Sequence, residues 1–163
     1  LTVAPARAVS SSLQEEAEKA LSSIMSELEY VGVMAVEFFH HDGHLLVNEI
    51  APRVHNSGHW SQDGADLGQF ELHVRSVLGL PVPQPELLGA SAMVNLIGVA
   101  FDNDWLSRPG VVHWYGKDVR PGRKVGHVNL VAGSHGALRD QICAWADVLP
   151  ENALSVLEHE LSL

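Results

Sequence analysis

The sequence has a single cysteine and no long hydrophobic run, and each shortage excludes a class of protein. Cys143 has no second cysteine with which to form an internal disulfide, so a disulfide-stapled secreted scaffold is excluded and a reducing cytoplasm is expected. The longest apolar runs, such as HLLV and VNLIGVAF, are far shorter than the roughly 20 residues that cross a bilayer. We therefore expect no membrane partner.

Basic residues are also scarce. Ten Lys and Arg against twenty Asp and Glu give a net charge of −10 at pH 7, which argues against binding to nucleic acid or to an anionic membrane. The positive charge is nevertheless concentrated between residues 108 and 124, the basic island. Its charged members are Arg108, Lys117, Arg120, Arg123 and Lys124, with Asp118 as the one acid. Such an island suits a small anionic ligand better than a polyanion.

Hydrophobic spacing predicts an α+β chain in two parts. It predicts an amphipathic helix over residues 11–32, with Ser12 and Glu15 as a capping box, and a second helix over residues 63–79. The inward positions of the second helix are predicted as Leu67, Phe70, Val74 and Val77 or Leu78. The proline-rich segment LPVPQPELLG is the best boundary. We expect one domain over residues 1–80 and a small β-rich domain over residues 81–163, with a final helix over residues 138–149.

Two strands, VGVMAVEFF and HLLVNEI, are predicted to form a hairpin around HHDGH. A two-residue Asp42-Gly43 turn would pair His41 with His44 and put Glu37 and Glu49 on opposite faces. A three-residue loop that includes His41, with Gly43 at positive φ, would shift the register by one residue and put both acids on one face. We expect the three-residue loop, because two acids in apolar strands make more sense in one site.

Glu37 and Glu49 are candidate metal ligands. Mg²⁺ takes a few carboxylate oxygens and shares its other positions with water and nucleotide phosphates, so two carboxylates on neighbouring strands would suit it. The alternative is a pair of solvated acids, or structural ion pairs, on a half-exposed sheet.

The stretch NEIAPRVHNSGHW places several polar groups in an irregular connection that Pro52 and Gly58 keep out of a regular helix. Arg53, His55 and Asn56 offer a guanidinium fork, an imidazole and an amide, which suit a small planar anion such as a carboxylate or bicarbonate. Loop capping is the alternative. Zinc binding by the two histidines of this stretch is a weaker alternative, because no helix presents them together and no further spaced ligand completes a site.

The basic island could hold a phosphate monoester. Lys117, Arg123 and Lys124 would supply charge, while Gly116 and Gly122 would let backbone amides approach. A solvated hairpin loop has the same composition and remains an alternative.

Three stretches together resemble the 5-(carboxyamino)imidazole ribonucleotide synthases, the ATPase subunits of phosphoribosylaminoimidazole carboxylase, which are ATP-grasp ligases of purine biosynthesis. They are GVMAVEFF, LLVNEIAPRVHNSGHWSQDGADLGQFELHVRSVLGLP and WYGKDVRPGRKVGHVNL. The resemblance covers nearly the whole chain apart from its tail. It implies the second half of an ATP-grasp domain followed by the family's small C-terminal domain, and so we expect a piece of a longer protein.

The resemblance implies that ATP, bicarbonate and aminoimidazole ribonucleotide give ADP, phosphate and the N-carboxylated nucleotide through carboxyphosphate. It implies ATP and Mg²⁺, or Mn²⁺, as cofactors, and a cytoplasmic homodimer for the full-length enzyme. The implied roles are metal ligation by Glu37 and Glu49, nucleotide contact by Asn48 and Glu49, bicarbonate contact by Arg53, His55 and Asn56, and ribonucleotide phosphate contact by Lys117, Arg123 and Lys124.

Two departures from the family pattern matter. Ala51 stands where many ATP-grasp enzymes carry an asparagine, two residues after the second metal-binding glutamate. The lysine-bearing strands that cover ATP are also missing, so we expect the chain alone to be catalytically silent. Two rival functions remain: another ATP-grasp carboxylase or formate-using ligase, and a non-enzymatic metal-binding module that uses the ten scattered histidines.

Overall fold

A computed structural model describes residues 1–7 and 9–149, so residues 150–163 of the predicted second domain lie outside the described residues. The strands are β1 (Thr2–Ala4), β2 (Ala35–His41), β3 (His44–Ala51), β4 (Ala90–Ile97), β5 (Val111–Trp114) and β6 (Lys124–Ala132). The α-helices are α1 (Ser11–Glu27), α2 (Ser61–Gly64), α3 (Gln69–Val77) and α4 (His135–Cys143). Short 3-10 helices lie at Asn56–Gly58, Asn103–Ser107 and Ala146–Val148. The α+β class is confirmed.

The main sheet is antiparallel in the order β1-β4-β6-β5. One of its faces packs against α4 and forms the hydrophobic core, because β4 and β6 alternate apolar side chains toward that side. Trp145, just after α4, is fully buried there, and its indole N–H donates to the Pro109 carbonyl at 2.9 Å. The core members are Ala90, Ala92, Val94, Leu96, Trp105, Val125, Val128, Leu130, Ala132, Leu138, Ile142 and Trp145.

The opposite face of this sheet is polar and almost equally buried. His127 and Asn129 are 2% and 1% exposed, and Asn95 of β4 is partly buried on the same side. Residues 55–64 cover this face, since Asn56 contacts Asn95 and α2 lies against β6. The sheet is therefore enclosed on both sides, with the apolar core behind it and the polar loop in front.

The N-terminal strand ties the two predicted parts of the chain together. β1 precedes the proline-rich connector in sequence but pairs with β4, which follows it. The first predicted domain therefore contributes an edge strand to the sheet of the second. The boundary at residue 80 stays a prediction, and the segment there has no regular structure over residues 80–86.

Three helix predictions need correction. The capping residue of α1 is Ser10, whose hydroxyl accepts from the Leu13 N–H, in place of the predicted Ser12 box. The second helix is split into α2 and α3, because the backbone turns extended at Ala65 and residues 64–66 pair with residues 86–88 of the connector. The final helix begins and ends earlier than predicted, since Ser134 caps it at residue 135 and it stops at residue 143.

The predicted inward face of α3 is also wrong, since Val77 and Leu78 are exposed and only Leu67, which precedes α3, is partly buried. Phe70 is 42% exposed and Val74 is 54% exposed, so the apolar side of this helix faces outward over much of its length. Gln69, a polar residue at the first position of α3, is instead its buried member. Among the described residues, no helix is both long enough and apolar enough to cross a membrane.

The hairpin places Glu37 and Glu49 on one face, as predicted, but not through the predicted turn. The turn is the two-residue Asp42-Gly43 type, with φ of 48° and 79°, and it pairs His41 with His44. A bulge at Asn48 then shifts the register, so that Glu37 lies directly opposite Glu49. The prediction of a three-residue loop is therefore wrong, and the residue that shifts the register is Asn48 in β3.

Gly43→Ala should lower the free energy of unfolding by about 1 kcal/mol, because an L side chain is strained at positive φ. A Cβ at Gly43 would have no heavy atom within 4 Å, so backbone strain is the whole expected cost. Gly133→Ala is the matched control, since its site is equally open and lacks a positive φ. Urea unfolding of both variants measures the difference, and equal losses would contradict the assigned turn.

Candidate active site

The polar loop, residues 52–60, starts where β3 ends and is fixed by a short helical turn. His55 caps this turn, and its Nδ1 accepts from the Ser57 backbone N–H at 3.3 Å and lies 2.8 Å from the Ser57 hydroxyl. These contacts of Nδ1 with Ser57 fix the position of the His55 ring.

His55 lies between the two predicted metal ligands. Its Nδ1 is 3.5 Å from a Glu37 carboxylate oxygen, and its Nε2 is 3.7 Å from a Glu49 oxygen. Asn48, the bulge residue, donates from its amide to Glu37 at 3.3 Å. The Glu37 and Glu49 side chains are 36% and 50% exposed, so solvent or a ligand reaches them. The structure thus assembles four of the predicted residues in one cluster.

Asn56 connects this cluster to the basic island. Its side-chain oxygen accepts from the Lys124 ammonium at 2.8 Å and from the Asn95 amide at 3.1 Å, while its amide nitrogen donates to Asn95 at 2.8 Å. Asn56 and Lys124 were predicted to hold different groups, bicarbonate and a phosphate. The structure brings them into direct contact, so the two predicted subsites adjoin.

The other predicted cations lie farther along the island. The Lys117 ammonium is 4.8 Å from the centre of the Tyr115 ring, and Arg123 donates to the Asp118 carbonyl at 3.4 Å. Arg53 is exposed and donates to the carbonyl of its neighbour Val54 at 3.0 Å. The described contacts of these three side chains are thus local, and the roles predicted for them stay predictions.

A buried polar cluster behind the loop was not predicted from the sequence. Asp63 of α2 accepts from the Asn129 amide at 2.7 Å and lies 2.7 Å from His113 Nε2. Asn129 also donates to the backbone carbonyl of His59 at 2.9 Å. These bonds fasten the loop and α2 to the sheet. The available signal was the alternation of polar and apolar residues in GHVNLV, which is equally typical of a half-exposed strand.

Burial shifts the pKa values of three side chains next to this cluster. His127 stacks on His113 with ring centres 4.5 Å apart, and its Nδ1 is 2.6 Å from the Tyr115 hydroxyl. Burial, helped by the neighbouring histidines, lowers the pKa of His127 to about 3, and burial also lowers the pKa of His59. Burial raises the pKa of Tyr115. The His127 and His59 rings are therefore held neutral beside the charged site.

Two family models match the chain on either side of the connector. Residues 1–70 match the ATP-grasp domain, and residues 91–141 match the phosphoribosylaminoimidazole carboxylase C-terminal domain. The N5-carboxyaminoimidazole ribonucleotide synthase of Escherichia coli K12 is 54% identical over 138 residues, which cover 84% of this chain. The synthase of Aquifex aeolicus is 46% identical over 126 residues, or 74% of this chain.

The chain belongs to the N5-carboxyaminoimidazole ribonucleotide synthase family. The resemblance stated from the sequence is thus confirmed. The chain spans 39% of the length of the E. coli relative and 34% of the A. aeolicus relative.

Solved structures of the synthase family share the fold. The synthetase from Thermus thermophilus matches with a TM-score of 0.86 at 48% identity, over 90% of this chain and 41% of its own. The synthase from Aspergillus clavatus, in complex with ADP and 5-aminoimidazole ribonucleotide, matches with a TM-score of 0.78 at 34% identity, over 90% of this chain and 42% of its own. The ATP-grasp fold assignment is therefore confirmed.

The residues present fit the Mg²⁺ that the synthase family pattern implies. Glu37 and Glu49 offer hard oxygen donors from directly paired positions, and the Asn48 side chain lies beside them. Among the described residues, no group of three or more His, Cys, Asp and Glu side chains could hold a metal ion, so the rival metal-binding module finds no such cluster there. A pair of carboxylates suits an ion that takes its remaining ligands from phosphates and water.

His127 should make the stability of the protein fall in acid. The pKa of His127 is about 3 in the folded protein, and the ordinary value is 6.5. Between these two pH values, His127 is protonated in the unfolded chain but neutral in the folded protein, so acid favours unfolding. From pH 8 to pH 5 this contributes a loss of about 2 kcal/mol.

His127→Phe should remove that loss, whatever its effect at pH 8. Urea unfolding of wild type and variant at both pH values gives the two differences in free energy of unfolding. His40→Phe, at an exposed hairpin position, is the control. The assignment fails if His127→Phe keeps the wild-type dependence on pH.

Proposed function

We propose that this chain supplies part of the active site of an ATP-dependent ligase that carboxylates 5-aminoimidazole ribonucleotide with bicarbonate, in purine biosynthesis. The observation that carries the proposal is the continuity of the site. One loop places His55 between two acids and Asn56 against Lys124, so a carboxylate cluster and a cationic island meet at adjacent residues. A metal ion that binds ATP phosphates needs the carboxylates, and a small anion and a phosphorylated substrate need the cations beside them.

Glu37 and Glu49 would hold Mg²⁺, with Asn48 orienting Glu37 through its amide. When bound, the ion supplies charge neutralisation at the nucleotide phosphates. The His55 ring lies 3.5 Å and 3.7 Å from the two carboxylates. The Glu37 and Glu49 side chains are 36% and 50% exposed, so a ligand can approach them.

The anion subsite would be built from Lys124, Asn56 and His55, with Arg53 at its rim. Bicarbonate held there attacks the γ-phosphorus of ATP through an oxygen, and ADP leaves. The exocyclic amine of the ribonucleotide then attacks the carboxyl carbon of carboxyphosphate, a C–N bond forms, inorganic phosphate leaves with the C–O bond electrons, and the nitrogen loses a proton. Lys124 stabilises the negative charge in both steps, and Asn56 holds Lys124 in place.

Lys117 and Arg123 would bind the ribonucleotide phosphate. Arg123 is 39% exposed and lies 3.9 Å from the Asp118 carboxylate, so a phosphate could replace that partner without a buried bond being broken. The use of Mg²⁺ or Mn²⁺, the homodimer and the cytoplasmic location stay predictions.

The 163-residue chain alone should show no ATP turnover, whereas a chimera should be active. The chimera carries this chain in place of the matching 138-residue part of the E. coli relative. Its ADP formation should require bicarbonate and the ribonucleotide, and Glu49→Gln should lower kcat at least 100-fold by removing a ligand charge. Glu16→Gln on the exposed side of α1 is the control. Turnover by the isolated chain that Glu49→Gln abolishes would refute the expected silence.

In the same chimera, Arg123→Ala should raise KM for the ribonucleotide and leave KM for ATP nearly unchanged. The loss of a charged hydrogen bond, about 1.5–3 kcal/mol, corresponds to a rise of about 10- to 100-fold. Both substrates carry phosphate, so a general loss of positive field would raise both KM values. Arg75→Ala, which removes a charge from α3, controls for that field. Equal rises for ATP and ribonucleotide, or none, would make the island a solvated hairpin.

A further inference from the structure

The buried side chain of Gln69 forms hydrogen bonds with both the N–H and the carbonyl of the His55 backbone. Its Oε1 accepts from the His55 N–H at 3.0 Å, and its Nε2 donates to the His55 carbonyl at 2.8 Å. Nε2 also lies 2.6 Å from His59 Nδ1. Gln69 is 7% exposed, and its own N–H donates to the Ser61 hydroxyl at 3.0 Å, so the amide has little freedom to move.

The loop is shaped to admit this amide. A Cβ at Gly58 would lie 2.6 Å from Gln69 Oε1 and 3.0 Å from its Cδ, distances that an alanine could not hold without displacing the amide. Gly58 has no positive φ, so close approach is the reason for glycine at this position. The glycine of HNSGHW and the glutamine of α3 therefore form one unit.

These two hydrogen bonds hold His55, which lies at the centre of the candidate site. His55 carries its imidazole between Glu37 and Glu49, and its neighbour Asn56 holds Lys124. A two-bond clamp on the His55 peptide fixes the direction in which both side chains leave the backbone. A bond pair to a buried amide is rigid, and a site of this kind tolerates little displacement of its groups.

We propose that Gln69 is a positioning residue, which holds His55 and Asn56 so that the anion activated by ATP stays where the amine can reach it. The proposal rests on the proposed carboxylation. Without the clamp, carboxyphosphate would form but decompose before the amine attacks. ATP cleavage and carboxylation would then become uncoupled.

The first measurement is the ratio of ADP formed to ribonucleotide carboxylated, in the chimera described above. Gln69→Met keeps the size of the side chain without its hydrogen bonds, and Gly58→Ala displaces the amide without changing it. Both should raise the ratio at least threefold, while KM for the ribonucleotide stays within twofold. Gln14→Met on exposed α1 and Gly133→Ala, whose Cβ meets no atom within 4 Å, are the matched controls and should keep the wild-type ratio.

This ratio separates positioning from stability. A variant that merely folds less well loses active enzyme, which lowers both rates together and leaves the ratio unchanged. An unchanged ratio in both Gln69→Met and Gly58→Ala therefore overturns the proposal.

The second measurement needs no activity and uses the 163-residue chain. Amide hydrogen exchange at His55 should speed up at least tenfold in Gln69→Met and Gly58→Ala, while the core amide of Leu130 stays protected. Unchanged exchange at His55 overturns the clamp. If the unsubstituted chimera makes no product, the proposed function fails, and exchange at His55 still decides whether Gln69 fixes the loop.

Discussion

The structure depends on the buried polar face of the four-stranded sheet. His127 and Asn129 project from β6 on the side away from the hydrophobic core, and Asn95 from β4 joins them. A buried polar group left without a partner costs about 1–3 kcal/mol, so this face needs a polar covering. The loop after β3 and the α2 helix supply it, through Asn56 and Asp63. The bonds from Asn56 to Asn95 and from Asn129 to Asp63 therefore also hold the loop and α2 in place.

The register of the β2–β3 hairpin is the second constraint, because it places Glu37 and Glu49 next to His55 of that loop. A tight two-residue turn alone would send Glu37 and Glu49 to opposite faces, and the bulge at Asn48 reverses this. The bulge residue then contacts Glu37. One inserted residue both corrects the register and adds a polar group to the site.

Charge is distributed so that a strongly acidic chain still offers a cationic subsite. The net charge of −10 repels polyanions, whereas Lys124 is held locally by Asn56 at the boundary between the carboxylates and the basic island. Behind them, burial keeps His127 neutral, so the polar face adds no competing positive charge. This arrangement agrees with the proposed carboxylation, in which two phosphorylated substrates and a small anion would lie close together.

The sequence by itself determined the family, the α+β class and most of the candidate site residues, because the NEIAPRVHNSGHW string and the RPGRK island carry their chemistry in contiguous residues. Only the tertiary structure decided the hairpin register, the split of the second helix and the partners of each side chain. A bulge inserts one residue and leaves no periodic signal. The helix breaks because residues 64–66 pair with residues 86–88, about 20 positions along the chain. Gln69 and Asn129 escaped prediction for the same reason, since a polar residue on a strand or helix is normally solvated. The contacts of Gln69 with His55 and of Asn129 with Asp63 join residues that are far apart in the sequence, so only the tertiary structure shows them.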